Sequence, residues 1–259
     1  METLTLDRLD ALTLGMFAGV PLPVEDLSVQ ELVPFVEWSW VQDSISGASR
    51  RLHATGRIVQ LQRELRSGNA LSTLMRNSAT GFARVRRQKG DTEDGGWLGF
   101  LTAFSRAAQA CGLDKTLASQ LTGVVKEMED NVHAHSGRPL SGVVAFVSHE
   151  TKFEFVVYDL GMGVLESLRQ APEFSNLTDH GTALQLAVSD GKSRHGTGTG
   201  HGRGFSDLTV GVANSNALVR FRSGDSLLEL DGRGRGPIAT RCVQRAGGRG
   251  FLIAVQVGR

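Results

Sequence analysis

Long apolar runs and cysteine are scarce in this chain of 259 residues. No apolar run approaches the length of about eighteen residues that a membrane-spanning helix needs, so neither a span nor a membrane partner is expected. The N-terminal stretch METLTLDRLDALTLGMF is acidic early and lacks the basic start of a secretory signal peptide. The two cysteines, Cys111 and Cys242, are more simply explained as reduced thiols than as a disulfide. These absences predict a cytoplasmic protein.

Positive charge is concentrated in one block, although the net charge is only +1. Residues 1–49 hold eight acidic side chains and one arginine, whereas residues 50–89 hold nine arginines, one lysine and one glutamate. Such a block can bind nucleic acid or an acidic partner. Aromatic side chains, which usually stack on single-stranded bases, are represented there by Phe82 alone. Docking on the acidic segment, or a solvated helix face, is therefore favoured over nucleic-acid binding.

A charged, glycine-rich stretch, RQKGDTEDGG (87–96), is the best domain boundary. It separates an N-terminal region, residues 1–95, which we predict to be mainly helical, from a second domain over residues 97–259. In the second domain, apolar spacing indicates two long helices, followed by the hairpin runs GVVAFVSHE and KFEFVVYDLG. TALQLAVSDG indicates a short helix, and four more strand-like runs follow residue 215. This pattern predicts an α/β protein, a two-layer α/β sandwich with helices on one face of a mixed, mostly antiparallel sheet.

A carboxylate and an amide lie one turn apart on the second long helix. Glu127 and Asn131 share one face of that helix, because residues four apart are neighbours on its surface. Such a pair suits an oxygen-ligated Mg²⁺ and the activation of a water or an incoming hydroxyl. Taken alone, the pair is more simply the solvent side of an amphipathic helix.

Asp159 ends an apolar strand, and Gly161 and Gly163 follow it in DLGMG. A carboxylate there can accept a hydrogen bond from the exocyclic amine of a purine. Glycine lets the backbone turn tightly and approach a flat ligand without obstruction by a Cβ atom. An ordinary Asp-x-Gly turn has the same sequence, and for this motif alone it is favoured.

Glycine recurs at alternate positions in GTGTGHGRG (196–204), directly before the helix-like start FSDL. A glycine loop that leads into a helix N-terminus can bind a phosphate through free backbone N–H groups. The loop is not a P-loop, because no Gly-Lys-Ser/Thr ends it, and no strand enters it as in a dinucleotide-binding fold. A flexible linker and a phosphate-binding loop are both compatible with the stretch by itself.

Together and in this order, the three motifs resemble those of the GHKL superfamily of Bergerat-fold ATPases. That superfamily includes DNA gyrase, sensor histidine kinases and the serine kinases that act as anti-sigma factors. EMEDNVHAHSG is similar to its N box, DLGMG to its first glycine box and GHGRGFSDL to its second. The resemblance covers about residues 97–259 and implies a Bergerat fold, a histidine-kinase-like ATP-binding domain, with ATP and Mg²⁺ as cofactors.

The resemblance also implies roles for individual residues. Asn131 would bind ATP through the Mg²⁺ that bridges its phosphates, and Glu127 would be the catalytic general base. Asp159 would bind the adenine amino group. The glycines that would shape the pocket wall and wrap the phosphates are Gly161, Gly163, Gly200, Gly202 and Gly204.

Two further features follow from the same resemblance. Residues 165–203 would form a lid over ATP. Members of the superfamily often carry, on a late strand, a Gly-Thr pair whose Thr supports the adenine-binding aspartate. Phe251 stands at the matching place in GRGFLIAV, so the aspartate needs another residue or a water in the role of that Thr.

Three functions are compatible with these motifs. The first is a Mg-ATP-binding regulatory protein, gated by nucleotide and hydrolysing ATP slowly; the second is a protein kinase that transfers the γ-phosphoryl group to Ser or His of a partner. His53, the one histidine before His133, lacks the setting of a phosphoacceptor, so a histidine-kinase acceptor domain is not expected. A third, weaker alternative is a degenerate site with nucleic acid bound by residues 50–89. A protein partner is expected, and the sequence is compatible with a homodimer.

Overall fold

The computed structural model describes residues 1–21, 26–44, 52–67, 72–74, 79–85, 95–189, 215–234 and 236–258. Among these residues, no helix combines the length and the apolar character needed to cross a membrane. Both cysteines are free thiols, Cys111 buried and Cys242 half-buried. The elements, in chain order, are β1 (Glu2–Thr3), α1 (Leu6–Phe17), β2 (Leu27–Val29), α2 (Leu32–Ser44), β3 (Leu52–Ala54), α3 (Ile58–Ser67), β4 (Ser72–Leu74), β5 (Thr80–Arg84), α4 (Gly95–Ala110), α5 (Lys115–His135), β6 (Val143–Ser148), β7 (Lys152–Asp159), α6 (Gly163–Leu168), α7 (His180–Ser189), β8 (Ala217–Asp231) and β9 (Ala239–Gly258).

The central sheet has six strands in the order β4-β5-β6-β7-β9-β8, and all neighbouring strands are antiparallel. The predicted hairpin is β6 and β7. The four strand-like runs after residue 215 form only two long strands, β8 and β9. Gly224, with φ of +55°, lies at an irregularity in the β8–β9 register, so β8 continues past this glycine instead of turning back.

One face of the sheet is covered by the two predicted long helices. The side chain of Asp114 caps α5 by accepting a hydrogen bond from Leu117 N at 2.8 Å. The ring of Phe104 on α4 makes edge-to-face contacts with three phenylalanines of the sheet. The sheet-facing residues of α5 are Leu121, Val124, Val125, Met128 and Val132. The predicted α/β sandwich with helices on one face is thus confirmed for the described part of residues 97–259.

The opposite face of the sheet is covered by helices of the N-terminal region. A second buried core contains Leu9 and Leu12 of α1, Trp38 and Trp40 of α2, and sheet residues such as Val156. β1, β2 and β3 form a separate, parallel three-stranded sheet. β4 and β5, which precede the predicted domain boundary, are strands of the central sheet. Residues 86–94 lie outside the described residues, and the boundary itself stays a prediction.

Buried charges join the N-terminal helices to β8. The carboxylate of Glu37 on α2 is fully buried and accepts hydrogen bonds from Arg220 Nε at 2.9 Å and Arg222 Nη1 at 2.6 Å. Arg220 also donates to Asp10 of α1 at 2.6 Å and to Glu229 at 2.7 Å. Burial alone would raise the pKa of Glu37, but the two guanidinium groups outweigh that effect and hold its pKa below the usual value. The acidic residues Asp10 and Glu37 therefore pair with arginines of β8, outside the basic block of residues 50–89.

Replacing Glu37 by glutamine is expected to destabilise the protein by about 3–5 kcal/mol, because two buried guanidinium groups would lose their shared countercharge. Urea denaturation at neutral pH measures this difference. The matched control is Asp231→Asn, which removes the countercharge of the largely exposed Arg233 and is expected to cost less than about 1 kcal/mol. Equal losses in both variants would contradict a structural role for the buried pair.

Candidate functional site

Asp159 is the last residue of β7, and the residue is 4% exposed. Its Oδ1 accepts a hydrogen bond from Gly161 N at 2.7 Å. Burial raises the pKa of Asp159 to about 6, and the hydrogen bond from Gly161 only partly offsets this. Within the described residues, no donor other than Gly161 N reaches this carboxylate.

Asp159 differs from the other buried carboxylates of the sheet region. Glu154 accepts hydrogen bonds from His149, Gln256 and Leu32 N. These bonds and the positive charge of nearby Lys152 together hold the pKa of Glu154 below its usual value despite its burial. Glu37 is satisfied by two arginines in the same way. Asp159 has one backbone donor and a raised pKa, the combination that marks candidate ligand-binding sites.

The turn after Asp159 packs closely on the C-terminal end of α5. Met162 N donates to the carbonyl oxygen of Ser136, the C-cap residue of α5, at 2.9 Å. A Cβ atom on Gly161 would overlap that same carbonyl oxygen, so this position has no room for a side chain. Gly163 has φ of +79°, which favours glycine. These contacts bring α5 and the Asp159 turn together.

Glu127 and Asn131 are both half-buried on α5. They share a helix face with His135, whose Nδ1 lies 3.3 Å from Ser167 Oγ of α6. α6 begins at Gly163, within the turn that follows Asp159. His135, one turn beyond Asn131 on the same face of α5, is thus the residue of this face that contacts α6.

A buried hydroxyl that the motifs did not indicate also holds this turn. Ser223 Oγ on β8 accepts a hydrogen bond from Val164 N at 2.9 Å and donates one to Gly250 O at 3.0 Å. Nothing in the run RFRSG distinguishes this serine in the sequence. Its partners become visible only when β8, β9 and the start of α6 are placed together.

Phe251 lies directly opposite Asp159 in the β7–β9 pairing and opposite Ser223 in the β8–β9 pairing. Directly opposite residues of antiparallel strands project from the same face of a sheet. The carboxylate, the half-buried ring and the hydroxyl therefore occupy three neighbouring positions on the face covered by α4 and α5. The phenylalanine that replaces the expected threonine is thus a direct neighbour of the aspartate.

The predicted phosphate-binding loop lies outside the described residues. Gly200, Gly202 and Gly204 belong to residues 190–214, and their role stays a prediction. The described part of the predicted lid contains α6 and α7, which share a small core formed by Leu165, Leu168 and Ala183. α7 confirms the short helix predicted from TALQLAVSDG.

The described residues suit a Mg²⁺ ion that is held mainly by phosphates and water. Among them, no three side chains of His, Cys, Asp or Glu cluster as ligands of a metal ion. Mg²⁺ in nucleotide sites keeps several waters and takes one or two protein ligands beside phosphate oxygens. A single amide oxygen, that of Asn131, fits that coordination.

Asp159→Asn is expected to stabilise the folded protein at pH 7.5 by up to about 3 kcal/mol. The pKa of Asp159 is about 6 in the folded state and 3.8 in the reference state, so the folded state binds more protons between these values. The ionised carboxylate therefore reduces stability as pH rises through this window, and the amide removes that cost. Urea denaturation at pH 4 and pH 7.5 measures the effect, with Glu150→Gln, at an exposed turn, as control. An identical pH profile in Asp159→Asn and the parent would contradict the raised pKa.

Gly161→Ala is expected to destabilise the fold by about 1–3 kcal/mol, because the added methyl group overlaps the Ser136 carbonyl oxygen. Gly123→Ala is the matched control. Gly123 is exposed within α5 and has open space around it, so alanine there should stabilise the helix by about 0.5–1 kcal/mol. Thermal denaturation of both variants tests the contrast, and a neutral Gly161→Ala would mean that the turn is not packed on α5.

Comparisons with known proteins leave the functional conclusion to the site itself. No known family profile matches the chain, and no curated protein is similar to it. Among solved structures, the chain is similar to the B subunit of DNA gyrase from Myxococcus xanthus, with 12% sequence identity and a TM-score of 0.29. The match covers 62% of this chain and 43% of that subunit, so the chain spans less than half of its length.

Proposed function

We propose that this chain is a cytoplasmic Mg-ATP-binding regulatory protein, in which nucleotide at the Asp159 end of the sheet controls the contact with a protein partner. The observation that carries the proposal is buried Asp159, whose carboxylate has Gly161 N as its one donor among the described residues, in a turn that packs on α5. In this proposal α5 would present Glu127 and Asn131 to the phosphates and the metal ion. The order of the three sequence motifs supports the same function.

Recognition of the base is assigned to Asp159. Gly161 N already donates a hydrogen bond to Oδ1 of Asp159. A second hydrogen bond, from the exocyclic amine of a base to the carboxylate, would offset part of the cost of burying the carboxylate. The half-buried ring of Phe251 beside it offers apolar surface to a flat base. Guanine presents a carbonyl oxygen where adenine presents an amine, so the carboxylate favours ATP over GTP.

Binding of the phosphates and the metal is assigned to α5 and the glycine loop. Asn131 would supply an oxygen ligand to Mg²⁺, and Glu127, one turn earlier, would orient or deprotonate the attacking water. Gly200, Gly202 and Gly204 would wrap the phosphates. When bound, Mg²⁺ would neutralise phosphate charge and polarise the bond to be broken.

Gating is supported by the connection between the turn and the following helices. α6 starts within the turn itself, and α6 and α7 share a core that joins them into one segment. That segment leads to the glycine loop, so contacts of ATP with the loop would reach α6 and α7 directly. Slow hydrolysis through Glu127 would reset this segment.

The assignment is tested by calorimetry of the native chain with ATP, with and without Mg²⁺. Asp159→Asn is expected to weaken ATP binding by about tenfold or more, since a hydrogen bond to a charged acceptor is lost. Asn131→Ala should remove the gain in affinity that Mg²⁺ provides, whereas Glu127→Gln should bind ATP normally and lose turnover. Asp130→Asn, an exposed carboxylate on the same helix, is the matched control and should behave like the parent. Absence of ATP binding by the native chain would defeat the proposal.

The product of the reaction separates the three hypotheses. Phosphate released with no protein acceptor present supports a nucleotide-gated ATPase. Label from γ-labelled ATP on a co-purified protein supports the protein kinase. A salt-sensitive gel shift with nucleic acid that ignores ATP supports binding through residues 50–89.

A further inference from the structure

Trp40 reaches the Asp159 turn from the N-terminal region. The indole ring on α2 is 1% exposed, and its Nε1 donates to the main-chain carbonyl oxygen of Asp159 at 3.3 Å. α2 covers the face of the sheet opposite to α5. Asp159 is therefore contacted from the face opposite to α5, and the turn that follows it packs on α5.

The ring of Trp40 sits in a space shaped for it. A Cβ atom on Gly248 of β9 would overlap the six-membered ring, so glycine at this position leaves the space that the indole fills. The guanidinium carbon of Arg222 lies 5.5 Å from the centre of the ring, within the range of a cation–π contact. Both neighbours fix the direction of the indole N–H.

The same arginine ties Trp40 to the buried charge cluster. Arg222 donates to Glu37 at 2.6 Å and to the carbonyl oxygen of Ala246 at 2.6 Å. Glu37 and Trp40 are three residues apart on α2, so one arginine holds two neighbouring positions of this helix. A continuous series of contacts runs from Glu37 through Arg222 and Trp40 to Asp159.

Trp38 provides an internal comparison on the same helix. Its side chain is also fully buried, but in the part of the chain that the structure describes its Nε1 has no hydrogen-bond partner. The indole N–H of Trp40 thus donates a hydrogen bond at the candidate site, and the indole N–H of Trp38 does not.

From these contacts we infer that Trp40 is a positioning residue for base recognition, through which the N-terminal helices regulate nucleotide affinity. The inference rests on the function proposed above. The carbonyl group of Asp159 belongs to the peptide that links it to Leu160, so a donor that fixes this peptide also fixes the start of the turn to Gly161. When α2 is in place, the carboxylate is held ready for the base. When α2 moves, the turn loses its support from this face.

The test compares Trp40→Phe with Trp38→Phe, since each removes one indole N–H and part of one buried ring. Trp40→Phe is expected to weaken ATP binding by about fivefold, the equivalent of one neutral hydrogen bond, and to lower the preference for ATP over GTP. Trp38→Phe should leave both unchanged. A general loss of stability would weaken the two nucleotides alike and would not change that preference. Equal affinities and equal preferences in the two variants would overturn the inference.

Hydrogen exchange in the nucleotide-free protein gives a second measurement that does not depend on the proposed ligand. Amides of residues 160–164 should exchange faster in Trp40→Phe than in Trp38→Phe, and equal rates would overturn the inference. If the native chain binds no ATP, the proposed function fails, and this exchange comparison alone decides the role of Trp40. Should Trp40→Phe not fold, Gly248→Ala displaces the ring while keeping its N–H and is expected to give the same faster exchange, whereas unchanged exchange would overturn the inference.

Discussion

The pairing of buried Glu37 with Arg220 and Arg222 is the interaction on which the rest of the structure depends. Side chains of β8 alternate between the two faces of the sheet, with Val219 and Phe221 toward α4 and α5 and the two arginines toward α1 and α2. Two guanidinium groups cannot be buried on this face without countercharge. Glu37 and Asp10 supply it, so the N-terminal helices are a required second cover of the sheet.

That requirement links the N-terminal region to the candidate site at the other face. The charge cluster fixes α2, α2 presents Trp40, and Trp40 contacts the peptide of Asp159. Two other buried carboxylates, Glu154 and Glu37, each accept hydrogen bonds from two side chains. Asp159 is buried with one backbone donor, and the fold tolerates this cost because several other contacts determine the turn around it.

Much of the fold and part of the site could be predicted from local pattern. The two long helices, the β6–β7 hairpin, the cap at Asp114 and the short helix α7 are all present, since each depends on residues close in sequence. The sandwich followed from the order of these elements. β8 and β9 were predicted as four runs because glycines interrupt the apolar pattern, Gly224 in β8 and Gly247, Gly248 and Gly250 in β9. In the structure both strands continue past these glycines, and their pairing is irregular at Gly224 and Gly248. β5 has only five residues, too few for its place beside β6 to be visible in the sequence.

The sequence by itself determined which residue types stand at the candidate site: a carboxylate and an amide one helical turn apart, an aspartate at a strand end, and glycines in the turn that follows it. These follow from spacing along one element. Only the tertiary structure decided that Ser223 holds the turn after Asp159, that Phe251 lies beside the carboxylate, and that Trp40 donates to the main-chain carbonyl oxygen of Asp159 from the opposite face of the sheet. The reason is physical: burial and hydrogen bonding between residues as far apart as Trp40 and Asp159 depend on which faces of the sheet are covered, and no local period in the chain encodes that.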